Sequence, residues 1–289
     1  PMLIVCPASV VYNWQRETQR FAPSLRVMVH HGADRSTGKE FAAEAKAHDL
    51  VITTYALATR DSRMLNQVEW SGVVLDEAQN IKNPSTKQAR SIKRLKAAFR
   101  VALTGTPIEN RLTELWSIMD FLNPGYLGTL KSFKANYATP IERRGDEERA
   151  ERLRKVVAPF VLRRLKTDPS VIQDLPEKEE IKTYCNLTPE QATLYEAFIQ
   201  TSLEQVERSR GMQRRGMILS MLTGLKQICN HPVNFLKDKS SLMGRSGKLT
   251  RLLEMLDEVV SAGDSALVFT QFVEMGELLE ASLKDALDC

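Results

Sequence analysis

The chain has 289 residues, 43% of them hydrophobic and 26% charged, a length and balance that suit about two packed domains and exclude a disordered tail. No apolar run approaches the roughly 18 residues that a membrane-spanning helix needs, so no membrane partner is expected. Forty lysines and arginines against thirty-six acids leave a net charge of +4, too small by itself to identify a polyanionic partner.

The first third alternates short apolar strands with amphipathic helices, the pattern of a parallel α/β sheet. Strands are expected at Leu3 to Cys6, ending at Pro7; Leu25 to Val29, ending at His30-His31-Gly32; Leu50 to Thr53; Gly72 to Leu75, ending at Asp76-Glu77; and Arg100 to Leu103, ending at Thr104-Gly105-Thr106-Pro107. Each ends in polar or turn residues, and in such sheets ligands collect outside the carboxyl ends of the strands. Beyond Leu112 the pattern becomes helical and charged. A helix over Leu112 to Leu122 stops at the breaker Asn123-Pro124-Gly125. A charged helix is expected over Arg143 to Lys155 and a strand over Glu180 to Leu187. Thr188-Pro189-Glu190-Gln191 opens the first of two helices, about 189 to 208 and 212 to 229, with a cap and a proline at the first helical position. A helix near 247 to 261, a strand at Ala266 to Phe269 and a last helix complete the reading.

Charge is segregated along the chain. Ser85 to Arg100 and Arg152 to Lys166 each carry six basic residues and no acid, Arg208 to Gly216 carries four, and Glu274 to Asp288 has five acids against one base. Such runs are read either as solvated helix faces or as phosphate-contacting surfaces. The cysteines Cys6, Cys185, Cys229 and Cys289 have no C-x-x-C spacing, which suggests neither a disulfide framework nor a zinc site and fits a reducing setting. His30-His31 lacks further ligands spaced for a metal and reads as a loop.

Two strand ends carry the chemistry. In Val73-Val74-Leu75-Asp76-Glu77-Ala78-Gln79 an apolar strand delivers adjacent carboxylates to its end, the arrangement by which nucleotide hydrolases hold a Mg²⁺ shell and orient water. A lone Asp-Glu pair is also an ordinary helix cap. The Thr104-Gly105-Thr106-Pro107-Ile108-Glu109-Asn110 end adds small and hydroxyl groups beside it, although alone it would be a turn.

Together these residues resemble a known family. Asp76-Glu77-Ala78-Gln79 with Asn80-Ile81-Lys82-Asn83, and Thr104 to Asn110 after it, are similar to motifs II and III of the Swi/Snf family of superfamily-two helicase-like ATPases. Ile4-Val5-Cys6-Pro7 through Trp14 and Glu17 resembles motif Ia, Ile52-Thr53-Thr54-Tyr55 motif Ib, and Ala266 to Phe272 motif IV. Pro159 to Asp168, Leu175 to Lys178 and Gln227 to Pro232 resemble the inter-lobe and helical-protrusion signatures. The resemblance implies an α/β fold of two RecA-like parallel-sheet lobes with helical protrusions. Residues 1–127 would form the first lobe, 128–178 a protrusion and linker, and 179–289 the start of the second lobe with a helical insertion over 188–235.

By the same resemblance, the function is a DNA-dependent ATPase that translocates on double-stranded DNA and remodels DNA-bound protein complexes, using ATP and Mg²⁺. Asp76 would hold the Mg²⁺ through water, Glu77 would act on the attacking water, and Gln79 would sense the γ-phosphate region. Thr104, Gly105 and Thr106 would couple hydrolysis to lobe movement. DNA would meet Pro7, Ser9, Thr53 and Thr54 in the first lobe, Arg163 and Arg164 in the linker, and Thr270 and Gln271 in the second. An unwinding helicase of the same superfamily and a non-catalytic DNA-binding module are the alternatives. No G-x-x-x-x-G-K-[ST] occurs, since Leu242 stands where Gly244-Arg245-Ser246-Gly247-Lys248-Leu249 would need its first glycine and Leu249 replaces the hydroxyl residue. With motif I expected upstream and motifs V and VI downstream, these 289 residues are expected to be an internal fragment with negligible ATPase activity alone. The expected location is the cytoplasm, at a bacterial or archaeal nucleoid, or the nucleus of a eukaryote.

Overall fold

The computed structural model describes residues 1–165, 178–238 and 240–287. The chain divides into two compact units, Pro1–Gln173 and Asp174–Cys289.

In the first unit five parallel strands lie in the order β2-β3-β1-β4-β5. They are β1 (Met2–Cys6), β2 (Val27–His30), β3 (Leu50–Thr54), β4 (Trp70–Leu75) and β5 (Ala97–Ala102). The register pairs Val5 with both Thr53 and Leu75, and Leu75 with Ala102, so the polar residues that follow each strand gather at one edge. Side chains alternate across the sheet. Leu3, Val5, Val51, Val73 and Leu75 face a core with Phe41, Leu65, Ile81, Ile92 and Phe121, whereas Ile4, Cys6 and Ile52 face Val11 and Trp14.

The connecting helices are α1 (Val11–Phe21), α2 (Gly38–Ala47), α3 (Tyr55–Arg60), α4 (Ser62–Leu65) and α5 (Lys87–Lys93). α6 (Leu112–Leu122) follows β5. Short α7 (Leu130–Phe133), a π-helical turn over Lys134–Ala138, α8 (Thr139–Arg144) and α9 (Glu147–Val157) come next. Leu115, Trp116 and Met119 of α6 bury against Phe133, Ala138 and Leu153, which ties these helices to the first unit. The single helix expected over Arg143 to Lys155 is two: Gly145 takes a left-handed φ of 64° that ends α8, and the Asp146 carboxylate accepts the Arg149 N–H at 3.0 Å to cap α9.

The second unit contains α10 (Pro189–Arg208), α11 (Gly211–Asn230), α12 (Pro232–Leu236), α13 (Gly247–Ser261) and α14 (Val273–Leu287). The expected start of α10 is present as a capping box between Thr188 and Gln191. Gln191 is fully buried, and its amide also donates to the Ile228 carbonyl at 2.8 Å and accepts the Gly247 N–H at 3.2 Å, joining three helices. Gly224 lets the Phe198 ring lie against α11, where a Cβ would stand 2.6 Å from it.

The two strands expected here, Glu180 to Leu187 and Ala266 to Phe269, are not formed among the described residues. Ile181 is 82% exposed, Tyr184 90%, Leu267 86% and Phe269 88%. A strand is completed by its neighbour's hydrogen bonds, and these segments have no strand beside them.

Candidate active site

The carboxyl ends of β4 and β5 are stitched together. The Leu103 N–H donates to the Leu75 carbonyl at 2.8 Å, and the Ala78 N–H donates to the Leu103 carbonyl at 2.9 Å. Between them Glu77 adopts a left-handed conformation, φ 52° and ψ 54°, which for a non-glycine residue costs on the order of 1–3 kcal/mol and is held only by its surroundings. The Tyr55 hydroxyl supplies part of that hold, donating to the Asp76 carbonyl at 2.7 Å and the Glu77 carbonyl at 3.3 Å. Burial, and then the Asp76 charge, push the Tyr55 phenol up, so it remains a donor.

Asp76 is partly buried and Glu77 is exposed. One Asp76 oxygen accepts the Glu77 N–H at 2.9 Å, and the other accepts the Trp14 indole N–H at 2.8 Å. The Gln79 amide donates to the Glu77 carboxylate and accepts from Thr104 Oγ1 at 2.8 Å. The Thr106 N–H in turn reaches Thr104 Oγ1 at 3.2 Å. Asp76, Glu77, Gln79, Thr104 and Thr106 therefore form one connected group, with exposed Gly105 between the two threonines.

Hard carboxylate oxygens at a solvent-facing strand end suit Mg²⁺, which keeps most of its waters. Both Asp76 oxygens already accept a hydrogen bond, which fits a metal held through water by their remaining lone pairs.

Next to this group, Lys82 pairs with Glu109, which holds the lysine above its ordinary range. Glu114 accepts the Glu109 and Asn110 N–H groups at 2.8 and 3.2 Å. Its partial burial would raise the carboxyl, but these bonds outweigh it and hold it low. No role follows from sequence for Lys82, which stands in the run after Asp76-Glu77-Ala78-Gln79, or for Glu114, because each finds its partner in another segment. Buried Cys6 lies under the same end; burial, with the Asp76 charge, pushes its thiol up to about 12, which makes it inert.

The DNA-facing candidates are distributed unequally. Pro7 and exposed Ser9 form the turn after β1. Thr53 and Thr54 are buried, with the Thr53 hydroxyl donating to the His30 carbonyl at 3.1 Å and the Thr54 hydroxyl capping α3 through the Leu57 N–H at 3.2 Å. Their hydroxyls are thus spent on structure. Arg163 and Arg164 are exposed beyond α9, whereas Thr270 and Gln271 are exposed in the second unit. Two cations of the first basic run are internal: Lys93 pairs with Asp120 at 2.9 Å, and Arg100 donates to the Phe121 and Leu95 carbonyls at 2.7 and 2.8 Å. In the second run Arg152, Arg154 and Lys155 pair with Glu148 and Glu151 along α9. His30 faces Asp61 at 3.2 Å, and no group of three or more His, Cys, Asp or Glu side chains placed to hold a metal ion occurs among the described residues.

The SNF2-related domain model matches residues 1–234. The putative ATP-dependent helicase/translocase YwqA of Bacillus subtilis is 48% identical over 286 residues, covering 98% of this chain and 31% of that protein. A mouse SWI/SNF-related regulator of chromatin, subfamily A member 1, is 32% identical over 97% of this chain and 27% of its own length. Among solved structures, the Sulfolobus solfataricus SWI2/SNF2 ATPase core in complex with dsDNA has 47% identity and a TM-score of 0.58, covering 100% of this chain and 60% of that one. The chain thus spans less than a third of the length of these two curated relatives.

Proposed function

The chain belongs to the SNF2-related domain family, and from that premise we propose that it serves an ATP-hydrolysing translocase that moves along double-stranded DNA and remodels DNA-bound protein complexes. The observation that carries the reading is the connected group at the ends of β4 and β5, in which one amide, Gln79, joins the Glu77 carboxylate to the Thr104 hydroxyl.

In this reading Asp76 holds the water shell of Mg²⁺ with its free lone pairs. The ion, when bound with ATP, neutralises charge developing on the transferred phosphoryl group. Glu77, fixed by its left-handed backbone and by Gln79, orients the attacking water and accepts its proton. Gln79 lies between the two strand ends, so a change at the phosphate reaches Thr104, Gly105 and Thr106 through it. Pro7 and Ser9, the backbone around Thr53 and Thr54, Arg163 and Arg164, and Thr270 and Gln271 contact DNA phosphates, which position a protein without reading sequence.

The test is ATP hydrolysis by the full-length protein with and without duplex DNA, alongside displacement of a triplex-forming strand. DNA-stimulated turnover with triplex displacement and no strand separation supports the reading. Separation of a duplex replaces it with an unwinding helicase, and DNA binding without hydrolysis replaces it with a binding module.

A further inference from the structure

The Trp14 indole is part of the candidate site although it lies 62 residues from Asp76 in sequence. β1 is the neighbour of β4, with Val5 opposite Leu75, so the turn leaving β1 sits beside the carboxylate. α1 then runs back over the sheet and packs Trp14 against Cys6 and Val11, with its N–H toward Asp76 Oδ2 at 2.8 Å. The turn that carries Trp14 is itself fastened, because Thr18 Oγ1 donates to the Trp14 carbonyl at 2.8 Å.

An indole has one donor and no acceptor. Donated to a carboxylate, it makes a charge-assisted bond stronger than a neutral one. The other Asp76 oxygen accepts the Glu77 N–H at 2.9 Å. One bond from a helix and one from the loop therefore fix the plane of the carboxylate. Removing the loop bond requires a change of backbone, whereas the indole bond is a single side chain.

We propose that Trp14 is a positioning residue, which sets the Asp76 carboxylate in the orientation that holds the metal's water shell. The proposal rests on the ATPase reading above. Partners that bond directly to a metal-ligating side chain are worth about 10–100-fold in metal affinity when lost; Asp76 meets the metal through water, one shell further out, so the low end of that range applies.

The experiment compares Trp14→Phe, which keeps a ring in the packing and deletes the N–H, with the unsubstituted full-length protein. Mn²⁺ binding in the presence of a non-hydrolysable ATP analogue, read by electron paramagnetic resonance, is expected to weaken about tenfold. The Mg²⁺ concentration for half-maximal hydrolysis should rise in step, while KM for ATP at saturating Mg²⁺ moves less than about twofold. A fall in kcat with unchanged metal affinity would overturn the proposal, because it would mark a purely structural role. A second measurement keeps Trp14 itself in place and does not depend on how Trp14→Phe folds. The Trp14 indole N–H resonance, one of three such resonances from the three tryptophans, should move and exchange faster with solvent on Asp76→Asn than in the unsubstituted chain. An unmoved resonance would overturn the link. Absence of Mg²⁺-dependent hydrolysis in the unsubstituted protein would instead defeat the ATPase reading, with the resonance still reporting the Trp14–Asp76 bond.

Discussion

Thr104→Val tests the bridge between the two strand ends with an almost isosteric change. The substitution deletes the donor to Gln79 Oε1 at 2.8 Å and the acceptor for the Thr106 N–H at 3.2 Å. Two such bonds are worth about 1–3 kcal/mol net. Gln79 is half-buried and Thr106 exposed, so water replaces part of the loss and a value in the lower half of that range, about 1.4 kcal/mol, applies. That is about a tenfold drop in the population of the bridged arrangement. Because the same Gln79 amide holds the Glu77 carboxylate, steady-state ATP hydrolysis by the full-length protein is expected to fall about tenfold in kcat. ATP affinity, measured by equilibrium titration, should stay within about twofold, and Thr104→Ser should retain most of the turnover. Full activity in Thr104→Val would refute the reasoning. Equal impairment in the valine and serine variants would do the same, by transferring the effect to the methyl group.

Glu77→Gln should abolish hydrolysis while sparing ATP binding; retained turnover would remove Glu77 from its assigned role. Arg163→Ala and Arg164→Ala should each weaken duplex binding on any sequence and lower the salt slope of log affinity by about one, whereas an unchanged slope would place them off the DNA. Gly72 has the Phe99 ring over it, and a Cβ there would meet ring atoms at 2.3, 2.6 and 2.7 Å. The Phe99 ring is half-exposed and can give way, so Gly72→Ala should lower stability by only about 1 kcal/mol in urea unfolding, and the loss should shrink in a Phe99→Ala background. His30 is fully buried, and burial, outweighing the Asp61 carboxylate, lowers its pKa below the ordinary value of 6.5. The unfolded chain then binds the proton first as pH falls, so this histidine erodes stability below about pH 6.5 and has no effect above it. A His30→Gln variant should lose that component of the slope between pH 7.5 and 5.5, and an unchanged slope would count against it.

The five strands of the first unit could be read in sequence, though not their order in the sheet, because buried strands are written as apolar runs and each ends in residues that stop it. Leu112–Leu122 has its expected bounds because Asn123-Pro124-Gly125 is an unambiguous stop. β5 shifted from Arg100 to Leu103 back to Ala97–Ala102. Its arginine lies within the strand and donates to Leu95 and Phe121 carbonyls, so the strand does not look apolar when read alone. The carboxylates and hydroxyls of the site are local motifs and were visible. Their supports, Trp14 and Tyr55, are visible as residues but not as partners, since both reach the site through the pairing of β1 with its neighbours. Apolar content at Glu180 to Leu187 and Ala266 to Phe269 signalled strands, but pairing belongs to two segments at once, and the signal in one could not supply the other.

β5 also governs how these residues behave in solution. It is an edge strand whose Phe99 and Val101, followed by Leu103, are 48%, 37% and 40% exposed on alternate positions, an extended ledge of ring and aliphatic surface beside main-chain groups that seek a neighbour. A net charge of +4 spread over 289 residues gives little mutual repulsion. Loss of monomer for residues 1–289 in isolation should therefore be second order in protein and little changed by added salt, which has little repulsion to screen, with the adhesive seam running along β5.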